Sequence, residues 1–308
     1  MPSAKWSYLA KMIKKFAVQP SALTRWEDFR YVMEKLSFAQ GRVLVRFPKS
    51  WSRALLDSLD VGDIERMKFV ERLKKYKEDR MVSSRMPYDS SLDWITNAER
   101  SEPSAFDRII VQEQKQRTAN GVAFAPVGDV DEDFFETARE IRCMNNAENL
   151  TQAGAVFLHE SSDAAIVDPY FRAGSPGYLS VLCRLAELAL DAGKCKTFHV
   201  YTKSDYCAKD GGSNARDNFE KRLSRRSLSG FRVFFYFVDG TSSDQSFHAR
   251  YLLTSKGGLR YDKGFDAPPE PQLVDISIID KDLHAKLYSL YLEQTHEFSI
   301  ADSWEWRF

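Results

Sequence analysis

Four side chains stand where their types could do chemistry: His248 and Arg250, two residues apart, and the carboxylates of Asp168 and Asp266. Arg250 lies in the run Phe247-His248-Ala249-Arg250-Tyr251-Leu252-Leu253, which reads as a strand. A guanidinium on such a strand, beside apolar Tyr251 and Leu253, needs a carboxylate partner if it points inward. Asp168 follows Ile166-Val167 and Asp266 follows Gly264-Phe265, both at the ends of predicted strands, and either could supply that partner. Turned outward instead, the same guanidinium would be a bidentate ligand for phosphate. A second basic group, Arg216, Lys221, Arg222, Arg225 and Arg226, falls on a predicted helix between Asn214 and Leu228, where one face could track a nucleic-acid backbone. The preceding Lys209-Asp210-Gly211-Gly212-Ser213-Asn214 lacks the Lys-Ser/Thr of a phosphate-binding loop and reads as a flexible connection.

The cysteines, Cys143, Cys183, Cys195 and Cys207, have no C-x-x-C spacing, and His159, His199, His284 and His296 are scattered. No metal site and no cofactor is expected from them, and the thiols read as reduced. Of 308 residues, 43% are hydrophobic and 29% charged, the profile of a folded globular chain. The formal net charge is zero, but residues 1–100 hold 20 Lys and Arg against 13 Asp and Glu, so a basic amino-terminal third is joined to an acidic body. Such a layout points to an acidic partner or to a solvated helix face. No apolar run reaches the roughly 20 residues of a membrane span, and the start lacks a secretory signal. The chain reads as cytoplasmic.

The elements that would position these groups follow from periodicity. Leu9, Ile13 and Phe16, then Trp26, Phe29, Val32, Met33 and Leu36, recur at helical steps and predict two amphipathic helices broken near Pro20, with Ser21 as a cap. A strand is predicted at 42–47, a helix from Trp51 to Leu59, a helix from Gly62 with Ile64, Met67, Val70, Leu73 and Tyr76 on one face, and a strand at 106–111. Trp51 and Trp94 read as core anchors. Further on, strands are predicted at 153–158, 164–171, 195–202, 231–238, 247–253 and 274–279, with helices at 180–192 and 282–296 and a turn at Gly257-Gly258. The terminal Trp304-Glu305-Trp306-Arg307-Phe308 must fold back on the body or dock on a partner. The fold class is α/β: a mixed, largely parallel sheet flanked by helices over 131–308, preceded by a smaller, basic α+β module over 1–130.

The order of these elements, with Ile166-Val167-Asp168-Pro169-Tyr170-Phe171 on an early strand and His248-x-Arg250 in a late hairpin, resembles a phospholipase-D-like domain. It is most similar to the non-catalytic form at the carboxyl end of MIT-domain proteins and in bacterial relatives, matching at His248, Arg250, Gly257, Gly258, Gly264, Phe265 and Asp266 and departing at Ala249. The resemblance spans about residues 151–300. It implies a motif in which His attacks phosphorus while a Lys and an Asp handle the charge; here Arg250 replaces the Lys and Ser255 the Asp, so the motif is degenerate. What it implies for function is a recognition or assembly subunit, of the kind found in bacterial antiviral defence, with a protein partner in a multi-subunit complex or a homodimer and nucleic acid as a second class of partner. The alternative is a dimeric, metal-independent phosphodiesterase or nuclease using His248. Membrane association through Lys11, Lys14 and Lys15 is the least supported reading.

Overall fold

A computed structural model describes residues 12–101, 105–113, 117–119, 122–204, 217, 219–220, 228–239, 247–296 and 298–307. The architecture is mixed α/β with two sheets, in two compact units, Lys11–Arg139 and Glu140–Phe308.

In the first unit the strands β1 (Lys14–Val18), β2 (Arg42–Arg46), β3 (Met81–Ser83), β4 (Arg108–Val111), β5 (Arg117–Ala119) and β6 (Val122–Pro126) lie in the order β3-β2-β1-β4-β6-β5. All pairings are parallel except β5–β6. The connecting helices α1 (Trp26–Lys35), α2 (Trp51–Asp57), α3 (Asp63–Asp79) and α4 (Trp94–Arg100) are followed by a short α5 (Glu132–Phe135). Residues 14–18, expected as helix, form the central strand β1. Phe16, Ala17 and Val18 are buried in succession, and so short an apolar run fits a strand covered on both faces as well as it fits a helix turn. This strand also removes the amphipathic element on which membrane association would rest. Ser21 caps no helix; it lies in a 3-10 turn over Pro20–Leu23, and α1 begins after Arg25. On α3 the expected face is corrected as well, since Ile64 and Met67 are 78% and 62% exposed. Phe69, Leu73 and Tyr76 set the buried face, with Phe69 packing on Phe29 at 4.8 Å and on Trp26 at 5.2 Å between ring centroids. Trp51 and Trp94 are buried, and their indole N–H groups donate to Val18 O (2.6 Å) and Phe47 O (2.8 Å).

In the second unit β7 (Glu140–Met144), β8 (Asp163–Val167), β9 (Thr197–Lys203), β10 (Arg232–Val238), β11 (Arg250–Thr254), β12 (Gly257–Tyr261), β13 (Leu273–Ile278) and β14 (Ile300–Arg307) form a sheet ordered β14-β10-β9-β8-β11-β12-β13-β7. Parallel pairing is confined to β8–β9 and β9–β10, so the sheet is mixed but not largely parallel. The connections of β11–β12 and β12–β13 are too short for crossovers and force antiparallel pairing. The region 147–160, expected to hold a strand, is two helices, α6 (Ala147–Gln152) and α7 (Ala155–Glu160), the first capped by Asn146, which accepts from Asn149 N. Helix α8 (Pro176–Ala192) closes at Gly193, φ 70°, as a C-terminal glycine should. Helix α9 (Lys281–Tyr291) covers the face formed by Ala165, Val167, Tyr201 and Leu253. The β11–β12 turn is Ser255-Lys256, not Gly257-Gly258. Thr254 Oγ1 accepts from Lys256 N and donates to Gly257 O, which fixes the turn one pair earlier. The terminal aromatics fold back: β14 pairs antiparallel with β10 and sets Trp304 opposite Phe235, ring centroids 4.2 Å apart.

Candidate functional site

Strand β8 runs into Asp168 just as β11 begins with Arg250, one step beyond the Tyr251–Val167 pair, so the register of two antiparallel strands places carboxylate and guanidinium together. Asp168 is fully buried. Its Oδ1 accepts from Tyr170 N at 2.9 Å and its Oδ2 from Phe265 N at 3.1 Å, so the carboxylate ties the end of β8 to the segment after β12. Arg250 Nε stands 3.9 Å from Asp168 Oδ1, its Nη1 donates to Asp262 O at 2.6 Å, and its guanidinium carbon lies 4.9 Å from the centroid of the Tyr170 ring. Gly264, φ 80°, makes the approach possible: a Cβ there would overlap Asp168 Oδ2 and come within 3.0 Å of Arg250 Cδ.

The electrostatics follow from burial. Loss of water pushes the Asp168 carboxyl up to about 6, and the two backbone donors and Arg250 offset this only in part, because Arg250 Nε is too distant for a hydrogen bond. Asp266 is also raised by burial, with Arg172 acting in the opposite direction. Its Oδ1 lies against Gly177 in the first turn of α8, where a Cβ would clash. The Tyr178 hydroxyl is held well above its ordinary value by burial and by both aspartates. The charges of Arg250 and of the exposed Arg172 thus oppose the effect of burial on Asp168 and Asp266 respectively.

His248 stands apart. It is exposed in the turn before β11 and has no hydrogen bond or ion pair among the described residues, so no described carboxylate orients its ring. Ser255, in place of an aspartate, bonds to Ser161 Oγ at 3.2 Å. The basic residues Arg216, Lys221, Arg222, Arg225 and Arg226 lie outside the described residues. Among the described residues no three His, Cys, Asp or Glu side chains converge as metal ligands. Cys143 and Cys195 are buried, which pushes their thiols up to about 11 and about 12 and keeps them un-ionised.

No family model matches the chain, and no curated protein matches it. Solved structures similar to it in part include those of two proteins. Nuc of Salmonella typhimurium, a phospholipase D family member, aligns over 55% of this chain and 99% of its own at 7% identity and a TM-score of 0.34. TrmBL2, an archaeal chromatin protein whose structure shows a novel mode of DNA binding, aligns over 54% of this chain at 15% identity and a TM-score of 0.29, and the chain spans 55% of its length. At these scores neither likeness carries weight for fold or activity. No described helix is long and apolar enough to cross a membrane.

The sequence points to Asp168, Arg250, Gly264 and Asp266 but not to the groups that tie them together: the Tyr170 amide and ring, the Asp262 carbonyl and Gly177. A backbone donor or acceptor is invisible in side-chain types.

One prediction arises from the buried carboxyl. The folded pKa of Asp168, about 6, lies above the ordinary carboxyl value of 3.8, so its contribution to stability is full below the unfolded value and is lost as pH rises through about 6. The shift corresponds to about 3 kcal/mol. Relative to Asp168→Asn, the wild type should lose stability between pH 4 and pH 7, which urea unfolding of the two proteins at both pH values will measure. An unchanged difference would refute the assignment.

Proposed function

We propose that residues 140–308 form a phospholipase-D-like unit that no longer transfers phosphoryl groups, and that the protein is a nucleic-acid recognition subunit. One observation carries this reading: the cation in the motif, Arg250, is bound to Asp168, to the Asp262 carbonyl and to the Tyr170 ring, and so is engaged internally rather than aimed at a phosphate. His248 has no carboxylate among the described residues to fix its tautomer, and an imidazole left unset is a poor nucleophile. The excess of Lys and Arg in residues 1–100, 20 against 13, supports an anionic partner. A protein partner and a place in a multi-protein antiviral assembly belong to the same proposal and rest on the resemblance of the His248–Asp266 segment.

Fluorescence anisotropy of labelled single- and double-stranded DNA and RNA tests the reading. Binding should weaken steeply as salt is raised from 50 to 200 mM. The absence of binding at low salt would overturn it. The exposure of His248 favours a second reading, a phosphodiesterase assembled across a homodimer, in which the imidazole of each copy faces the other.

A further inference from the structure

The first residues of three neighbouring parallel strands in the amino-terminal unit are Arg42 on β2, Lys14 on β1 and Arg108 on β4. Lys14 and Arg42 are directly paired, and Arg108 pairs with Phe16, so all three side chains leave the same face of the sheet. Lys14 and Arg42 stand at one level on adjacent strands and Arg108 lies on the next strand two residues further along, so the three span about 12 Å. Like charges set directly opposite one another across strands are unfavourable, and nothing in the packing of a sheet calls for them. Arg42 Nη1 donates to the Lys35 carbonyl at 3.4 Å, and Arg139 acts on Arg42 through its charge.

Burial, and after it the neighbouring cations, hold Lys14 and Arg42 below their ordinary values, against Asp107 and Glu136 acting on Lys14 and Glu132 acting on Arg42. Lys14 Nζ donates to Glu136 O, and Arg108 Nη1 donates to Asp107 O at 2.9 Å with its guanidinium carbon 5.9 Å from the centroid of the Phe134 ring. The Nε of Arg42 is buried without a hydrogen-bond partner. Each of the three side chains remains partly exposed to water. Three partly exposed cations on one face of a sheet suit a line of phosphates better than a single anion.

We infer that the amino edge of this sheet, Lys14, Arg42 and Arg108, holds successive backbone phosphates of a nucleic acid. This rests on the nucleic-acid reading above and gives it a location. The full-length protein and its Lys14→Gln/Arg42→Gln/Arg108→Gln variant should be titrated with a labelled 30-mer single strand and a 30-base-pair duplex at several salt concentrations, with inorganic phosphate in parallel. The slope of log affinity on log salt should fall by about 2 to 3 in the variant, by roughly 0.7 for each lost contact to a single strand and 0.9 for each to duplex. Its melting temperature should not fall, and Arg42→Lys with Arg108→Lys should restore the slope. Equal slopes in wild type and variant, with both binding, would overturn the site and leave the recognition reading standing. Cleavage by the wild type with binding lost in the variant would overturn that reading and leave the site standing. No binding by the wild type would overturn both, whereas displacement of the nucleic acid by millimolar phosphate through these three residues alone would overturn the site, making it a single-anion pocket.

Discussion

Asp168→Ala should lower the unfolding free energy by about 2–4 kcal/mol, the usual consequence of leaving two buried N–H donors without an acceptor. Two amides lose their acceptor at once. The Tyr170 and Phe265 N–H groups donate to this carboxylate, and Arg250 loses its neighbouring charge while keeping the Asp262 carbonyl and the Tyr170 ring. Equilibrium urea unfolding checks it: the midpoint should fall with an unchanged slope. A loss under 1 kcal/mol would mean that the carboxylate contributes little to the fold.

Gly264→Ala should cost about 3 kcal/mol or more. A residue with a side chain at φ 80° is strained by about 1–2 kcal/mol. The added methyl also meets Asp168 Oδ2, which cannot retreat, since Asp168 is fully buried and bound by two amides. The two substitutions share this contact, so Gly264→Ala introduced into Asp168→Ala should cost less than in the wild type. Additive losses would show that the methyl clashes with something else.

Much of the second unit was legible in its sequence, because its inner strands keep a regular pattern between turn signals, whereas the edge strands β7 and β14 were not read as strands. Ile166-Val167-Asp168 and Arg250-Tyr251-Leu252-Leu253 could be placed as strands, and an arginine among apolar residues announced its need for a carboxylate. The choice between Asp168 and Asp266 was not legible, because it depends on the β8–β11 register. That register is set by pairs such as Leu252 with Ile166, 86 residues apart in sequence and unrelated by any local spacing. The first unit was misread at β1 for a different reason. Ile13 and Phe16 satisfy a helical step, and only burial on both faces of a parallel sheet distinguishes Lys14–Val18 as a strand. The row Lys14, Arg42, Arg108 was hidden by the same misreading, since a helix would have pointed Lys14 elsewhere.

The central claim is that Arg250 and His248 do not make a phosphoryl-transfer site. The most direct measurement is cleavage of single- and double-stranded DNA, RNA and a chromogenic phosphodiester, in chelator, by the wild type beside His248→Ala. We predict that both leave every substrate intact. Cleavage by the wild type that is lost in His248→Ala would contradict the account and make the exposed imidazole a nucleophile.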